Sequence, residues 1–200
     1  DRGLAGGLNL NVFREILRSE IKNAKYVTIG KKARDFAVKT NSDLIASYGS
    51  EEMLTIELAR LLKKMAQDAF LNKEVSKVSI IYPHFESTIK QNPRWVQLLP
   101  IPSLEEILKE IIIKEEFLFE PQPKEILDVI LKHHILTEIY QTLVEAKAAE
   151  HSARMVAMKN ASDAAEDLVS DLTLTYNQAR QEAITKELLD IITAQKAVGR

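Results

Sequence analysis

The sequence predicts an α/β fold: a mainly parallel small sheet with flanking helices, followed by a long C-terminal coiled-coil helix. Three observations predict it. Residues 124–198 contain neither glycine nor proline, although the 200-residue chain has six of each. Through residues 1–123, short β-branched runs alternate with amphipathic stretches, as strands and their covering helices do. Turn residues do not recur at the short, regular intervals that an all-β fold needs. The expected division is a globular α/β domain over 1–123 and a long helix over 124–200.

Taken in order, residues 4–21 follow a Gly-rich turn and space Leu8, Val12, Ile16 and Leu17 for a helix. Tyr26 to Gly30 is a short β-branched run closed by glycine, so a strand. Lys31 to Lys39 reads as a short helix and Leu44-Ile45-Ala46 as an extended piece. Ser50 before Glu51 and Glu52 starts a helix, with a hydroxyl cap and acids at the positive dipole end. That helix carries Leu54, Leu58, Leu61, Leu62 and Met65 and runs to Asn72. Val75 to Tyr82 is the strongest strand, ended by Pro83. Ser87–Gln91 and Trp95–Leu99 read as a hairpin across Asn92-Pro93. Residues 103–116 fit a helix through Leu104, Ile107, Leu108 and Ile111, or a strand through Ile111-Ile112-Ile113. Phe117 to Phe119 reads as a strand, ended by Pro121 and Pro123.

From Lys124 the pattern changes. Ile126, Leu127, Ile130 and Leu131 form an amphipathic pair of turns, and from His134 to Val198 no stop signal occurs. A straight helix over that stretch would be roughly 95 Å long. It carries a seam of Met158, Ala161, Ala165, Val169, Leu172, Tyr176, Ala179 and Ala183, in steps of three and four. So narrow a stripe suits one partner helix, and its alanines let that partner approach closely.

Chemistry finds little support. The net charge of −2 leaves no general basic footprint for nucleic acid. Cysteine is absent, which excludes disulfides, cysteine–zinc sites and cysteine nucleophiles. No apolar run approaches the ~18 residues of a membrane span. His133 and His134 point about 100° apart on a helix and cannot share a metal as an i, i+4 pair would. His84 and His151 stand alone, so no metal site is expected. The neighbouring pairs Glu51-Glu52, Glu105-Glu106 and Glu115-Glu116 diverge on a helix and read as solvated faces. No G-x-S-x-G or H-E-x-x-H pattern occurs, so no catalytic residue is expected. The turn Arg2 to Gly7 fits neither G-x-G-x-x-G nor the P-loop, and reads as a tight turn with close helix–sheet packing; no cofactor is expected.

Two helical stretches remain. One supplies Glu150, Ala153, Arg154, Met155, Ala157, Met158, Ala161, Ser162 and Asp163. The other supplies Tyr176, Asn177, Ala179, Arg180, Gln181, Ile184, Thr185, Glu187 and Leu188. Together they resemble the C-terminal helix of the gamma subunit of F-type ATP synthases. The opening Asp1-Arg2-Gly3-Leu4-Ala5-Gly6-Gly7-Leu8-Asn9 resembles that family's S-D-R-G-L-C-G-G-x-N turn, with Ala5 where cysteine is common. Phe119-Glu120-Pro121 resembles its step into the long helix.

The resemblance implies a non-catalytic rotor of the central stalk, coupling ion-driven rotation to conformational change in the beta-subunit sites. It implies partners in the alpha and beta subunits, the epsilon subunit and the c-ring, and contact with the membrane only through that complex. The helix over 124–200 would be half of an antiparallel coiled coil, its partner the family's N-terminal helix. That helix and the first strand of the sheet are expected ahead of the motif inside which this sequence opens. Arg180 and Gln181 would contact the beta-subunit loop that grips the rotor, with Thr185 and Asp190 adding polar contacts further on. Arg154 and Met158 would meet the lower, acidic beta loops. A guanidinium fork suits such a site, since it binds a carboxylate bidentately and releases it. The absence of cysteine excludes the redox insertion of the chloroplast form. The expected location is the cytoplasmic face of a bacterial plasma membrane, or else the matrix side of the mitochondrial inner membrane. Two other classes compete: a helical coiled-coil scaffold with an unrelated α/β head, and a nucleotide-binding enzyme using Gly3 to Gly7.

Overall fold

A computed structural model describes residues 3–19, 21, 23–49, 55–101 and 123–199, with the backbone alone at 123–125, 128, 197 and 198. The expectations for Ser50, for 103–116 and for Phe117–Phe119 lie outside these residues. The described elements are α1 (Leu8–Arg18), β1 (Lys25–Ile29), α2 (Lys31–Lys39), β2 (Asp43–Tyr48), α3 (Ile56–Leu71), β3 (Val78–Phe85), β4 (Gln91–Leu99) and α4 (Pro123–Val198). The chain divides into two units, Asp1–Val156 and Ala157–Arg200.

In the first unit, β1 and β2 pair in parallel from Lys25↔Asp43 to Ile29↔Tyr48, with α2 as the crossover. Gly30 joins strand to helix at φ 96°, ψ 149°, a conformation that L side chains rarely adopt. Its N–H donates to the Tyr48 carbonyl at 2.7 Å, locking the crossover to the neighbouring strand. The first helix starts later than its apolar spacing suggests. Leu4 sits at φ 66° and Gly6 at φ 57°, so regular helix begins only at Leu8. The described helix α3 opens at Ile56 after an extended Thr55 and closes at Leu71 with Asn72 as its cap, where the sequence places its end.

The hairpin differs from its sequence reading. Strand β3 continues through Pro83, and residues 86–90 form the turn. Asn92-Pro93 lies inside β4, with Pro83 opposite Pro93. A two-stranded ribbon has a free edge on each strand, so a missing N–H there costs no ladder bond when it points outward. The described strands form two separate two-stranded sheets, one parallel and one antiparallel, within the α/β fold expected. Pro123 opens α4, where a proline's missing N–H is not needed.

The main core joins Leu58 and Ala59 of α3, Leu98 and Leu99 of β4, and Ile135, Ile139 and Leu143 of α4. A smaller cluster sets Ala5 and Leu8 against Ala149, with Ala153 beside it. In the second unit, every described side chain from Met158 to Lys196 is exposed. No helix among the described residues is long and apolar enough to cross a membrane.

Candidate functional site

The residues singled out by sequence all lie on α4, but they fall in different units. Arg154 belongs to the first. Its Nη2 donates to Glu150 Oε1 at 2.6 Å, one helical turn back, while Lys147 Nζ lies 3.6 Å from the other carboxylate oxygen. Burial raises the Glu150 carboxyl, but the hydrogen bond from Arg154 and the charges of Lys147 and Arg154 outweigh it and hold the group below its ordinary value. Arg154 is thus tethered along its own helix, with a quarter of its side chain exposed. Met158 follows one turn on and is 39% exposed.

Arg180, Gln181, Thr185 and Asp190 all lie in the second unit and are exposed. Gln181 and Thr185, four residues apart, share a face. The threonines of this unit separate into two kinds. Thr173, Thr175 and Thr193 donate back to the carbonyls of Val169, Asp171 and Leu189 at 2.6–2.9 Å. Thr185 makes no such bond among the described residues, and its hydroxyl faces solvent.

The seam Met158, Ala161, Ala165, Val169, Leu172, Tyr176, Ala179 and Ala183 is exposed throughout, with Val169, Leu172 and Tyr176 each about 60% or more accessible. Further exposed apolar residues, Ile184, Leu188 and Ile191, are spaced by four and three, starting one residue after Ala183 and so on a neighbouring line of the helix.

Two features escaped sequence reasoning. Upstream of the seam, Ile135, Ile139, Thr142, Leu143, Ala149 and Ser152 form a buried stripe that seats α4 on the head. Its i, i+4, i+8 spacing at Ile135, Ile139 and Leu143 was the available signal. The second feature is a polar cluster between β3 and α4. Tyr82 Oη donates to Glu145 Oε2 at 2.9 Å, His84 Nδ1 lies 2.7 Å from the same oxygen, and Gln141 Nε2 donates to Oε1 at 2.9 Å. Burial raises Glu145, but these hydrogen bonds outweigh it and leave the carboxyl below its ordinary value. Burial and the carboxylate together push the Tyr82 phenol up to about 12. No local pattern links residues some sixty positions apart.

In the Gly-rich turn Ala5 and Leu8 are buried against Ala149 of α4, while Gly3, Gly6 and Gly7 are exposed. The helix that follows, α1, packs on β3 and β4, the close helix–sheet packing that the sequence suggested. No group of three or more His, Asp or Glu side chains among the described residues could hold a metal ion. A cleft of about 280 Å³ between β4 and α4 is bordered by Arg94, Trp95, His134 and Glu138. None of these is fully buried, and they form no nucleophile–base arrangement.

Comparison with known proteins agrees with this geometry. Residues 1–198 match the family model described as ATP synthase. The ATP synthase gamma chain of Methylacidiphilum infernorum is 40% identical, over all of this chain and 72% of that protein. That of Symbiobacterium thermophilum is 39% identical, over 99% and 69% respectively. Among solved structures, a chain of the Euglena gracilis mitochondrial ATP synthase (OSCP/F1/c-ring, rotational state 3) superposes with a TM-score of 0.72. It covers 99% of this chain and 70% of its own, at 22% identity, and so shares the fold.

Proposed function

The chain belongs to the ATP synthase gamma-chain family, and on that premise we propose that it is the non-catalytic rotor of an F-type ATP synthase. It couples ion-driven rotation to conformational change at catalytic sites held by the beta subunits. The observation that carries this reading is the family match over residues 1–198, on a chain whose long helix leaves an entire unit exposed. Nothing in the site favours an unrelated scaffold. The Gly-rich turn fits no phosphate-binding pattern, which speaks against a phosphate-binding enzyme.

In this reading residues 1–123 are the head and 124–200 the shaft helix, half of an antiparallel coiled coil. The exposed seam is the surface a partner helix covers. Arg180, Gln181, Thr185 and Asp190 contact the upper beta-subunit loops, supported by their exposure and by the unengaged Thr185 hydroxyl. Arg154 and Met158 contact the lower acidic loops, with Arg154 exchanging its Glu150 tether for a partner carboxylate. The epsilon subunit and c-ring meet the head. The complex sits at the cytoplasmic face of a bacterial plasma membrane, with this chain peripheral.

Reconstitution with alpha and beta subunits tests the reading. The double variant Arg180→Ala, Gln181→Ala should assemble more weakly or lower ATPase turnover by about tenfold, the usual scale for losing a charge-assisted contact. Unchanged assembly and turnover would remove the site assignment. Failure of the unaltered chain to assemble would remove the function.

A further inference from the structure

The hairpin of the head lies lengthwise along α4. Its base, Leu98 and Leu99, packs with Ile135, Ile139 and Leu143. Midway, Tyr82 and His84 meet Glu145. Near the tip, Ser152 Oγ donates to the Thr88 carbonyl at 2.9 Å. These anchors span residues 135–152 of the helix, about 25 Å at ~1.5 Å per residue.

The two kinds of contact resist different motions. Apolar burial opposes separation but is non-directional, so it resists rolling of the helix against the hairpin only weakly. Hydrogen bonds weaken steeply with angle, so they fix the rotational setting. Glu145 supplies the densest set. One carboxylate accepts from Tyr82, pairs with His84 whenever that ring is protonated, and is braced on its other oxygen by Gln141 of its own helix. Among the described residues, Glu138 on α4, Arg94 on β4 and Glu86 just past β3 are further charged groups close to this cluster. Glu138 and Arg94 act on Tyr82, while Glu86 is engaged by Lys90 and Asn92. Ser152 adds one neutral bond to a backbone carbonyl.

We propose that Glu145 is the positioning residue that keys α4 to the head, so that torque passes between them without the helix rolling in its seat. This deepens the central-stalk reading and rests on it. A rotor that slips at this joint still allows beta sites to hydrolyse ATP, but less of that work reaches the ion path.

The test uses the assembled ATP synthase carrying this chain in inverted membrane vesicles. Hydrolysis and ATP-driven proton uptake, followed by a pH-sensitive dye, are measured on the same preparation. In Glu145→Gln, hydrolysis and assembly should persist. The ratio of uptake to hydrolysis should fall by about threefold to tenfold, and the β3 amides on either side of Pro83 should exchange about tenfold faster, the scale of one charge-assisted hydrogen bond. A merely structural role would lower assembly, or would reduce uptake and hydrolysis in proportion, leaving the ratio unchanged; that result overturns the proposal. Should Glu145→Gln fail to assemble, Tyr82→Phe decides. It removes one bond and keeps the ring, and an unaltered ratio there overturns the proposal equally. If enzyme with the unaltered chain shows no coupled uptake, it is the central-stalk reading that falls.

Discussion

One continuous helix, α4, is held in two ways along its length. From Ile135 to Ser152 it presents a buried stripe, with Ile139 1% and Ala149 0% exposed. From Met158 to Lys196 every described side chain is exposed, including Leu172, Tyr176 and Leu188. Both stretches lack glycine and proline, so helical backbone is compatible with each. Burial is what differs. The first stretch gains tertiary packing, the dominant source of helix stability in proteins. The second has only local propensity and a spaced apolar stripe left exposed, which the proposed function assigns to a partner helix.

The sharpest way to break this contrast is a cavity in the buried half. Ile139→Ala should destabilise the first unit by about 2–5 kcal/mol, read from the urea midpoint. A change below about 1 kcal/mol would mean the buried stripe is not what holds the helix. Ser152→Ala removes the bond to Thr88 and should cost about 1 kcal/mol in the same assay.

A pH series sharpens the comparison further, since the resolved carboxylate shifts on α4 belong to its buried half. Glu145 and Glu150 are both held below their ordinary values. They bind fewer protons folded than unfolded, so they stabilise above the ordinary carboxylate range, and that stability is lost as pH falls through their folded values. Tyr82 has the opposite sign. Pushed up to about 12, it contributes fully below its ordinary value of 10.0 and loses that contribution as pH rises from there toward 12. The acid limb of the urea midpoint should flatten in Glu145→Gln. The smallest effect is expected at Leu172→Ser. It should leave the isolated chain's midpoint within about 0.5 kcal/mol, because the side chain is exposed. A larger loss would show that the seam is already covered.

Legibility in the sequence follows the range of each interaction. Helix α2 matched its expected bounds because glycine before it and amphipathic spacing within it are local signals. Leu4 misled because apolar spacing carries no information about a positive φ. Pro83 and Asn92-Pro93 were read as breaks because proline is a turn residue in isolation. Only the register that sets Pro83 opposite Pro93 shows why a ribbon accepts both. The apolar periodicity of residues 158–183 and the motifs around Arg154 and Arg180 are local patterns, visible without the fold. The Glu145 cluster is not, because its partners meet only after β3 folds across a helix distant in sequence.

The contact between the opening turn and the helix has a mechanical consequence. Ala5 and Ala149 are 4% and 0% exposed, so each meets its surroundings through a single methyl group. Clearance at this point is therefore set by the smallest side chain that has a Cβ. Any larger residue acts as a shim, wedging the turn outward and changing the angle at which the helix leaves its seat. A seat built to that tolerance holds its alignment by having almost nothing between the surfaces.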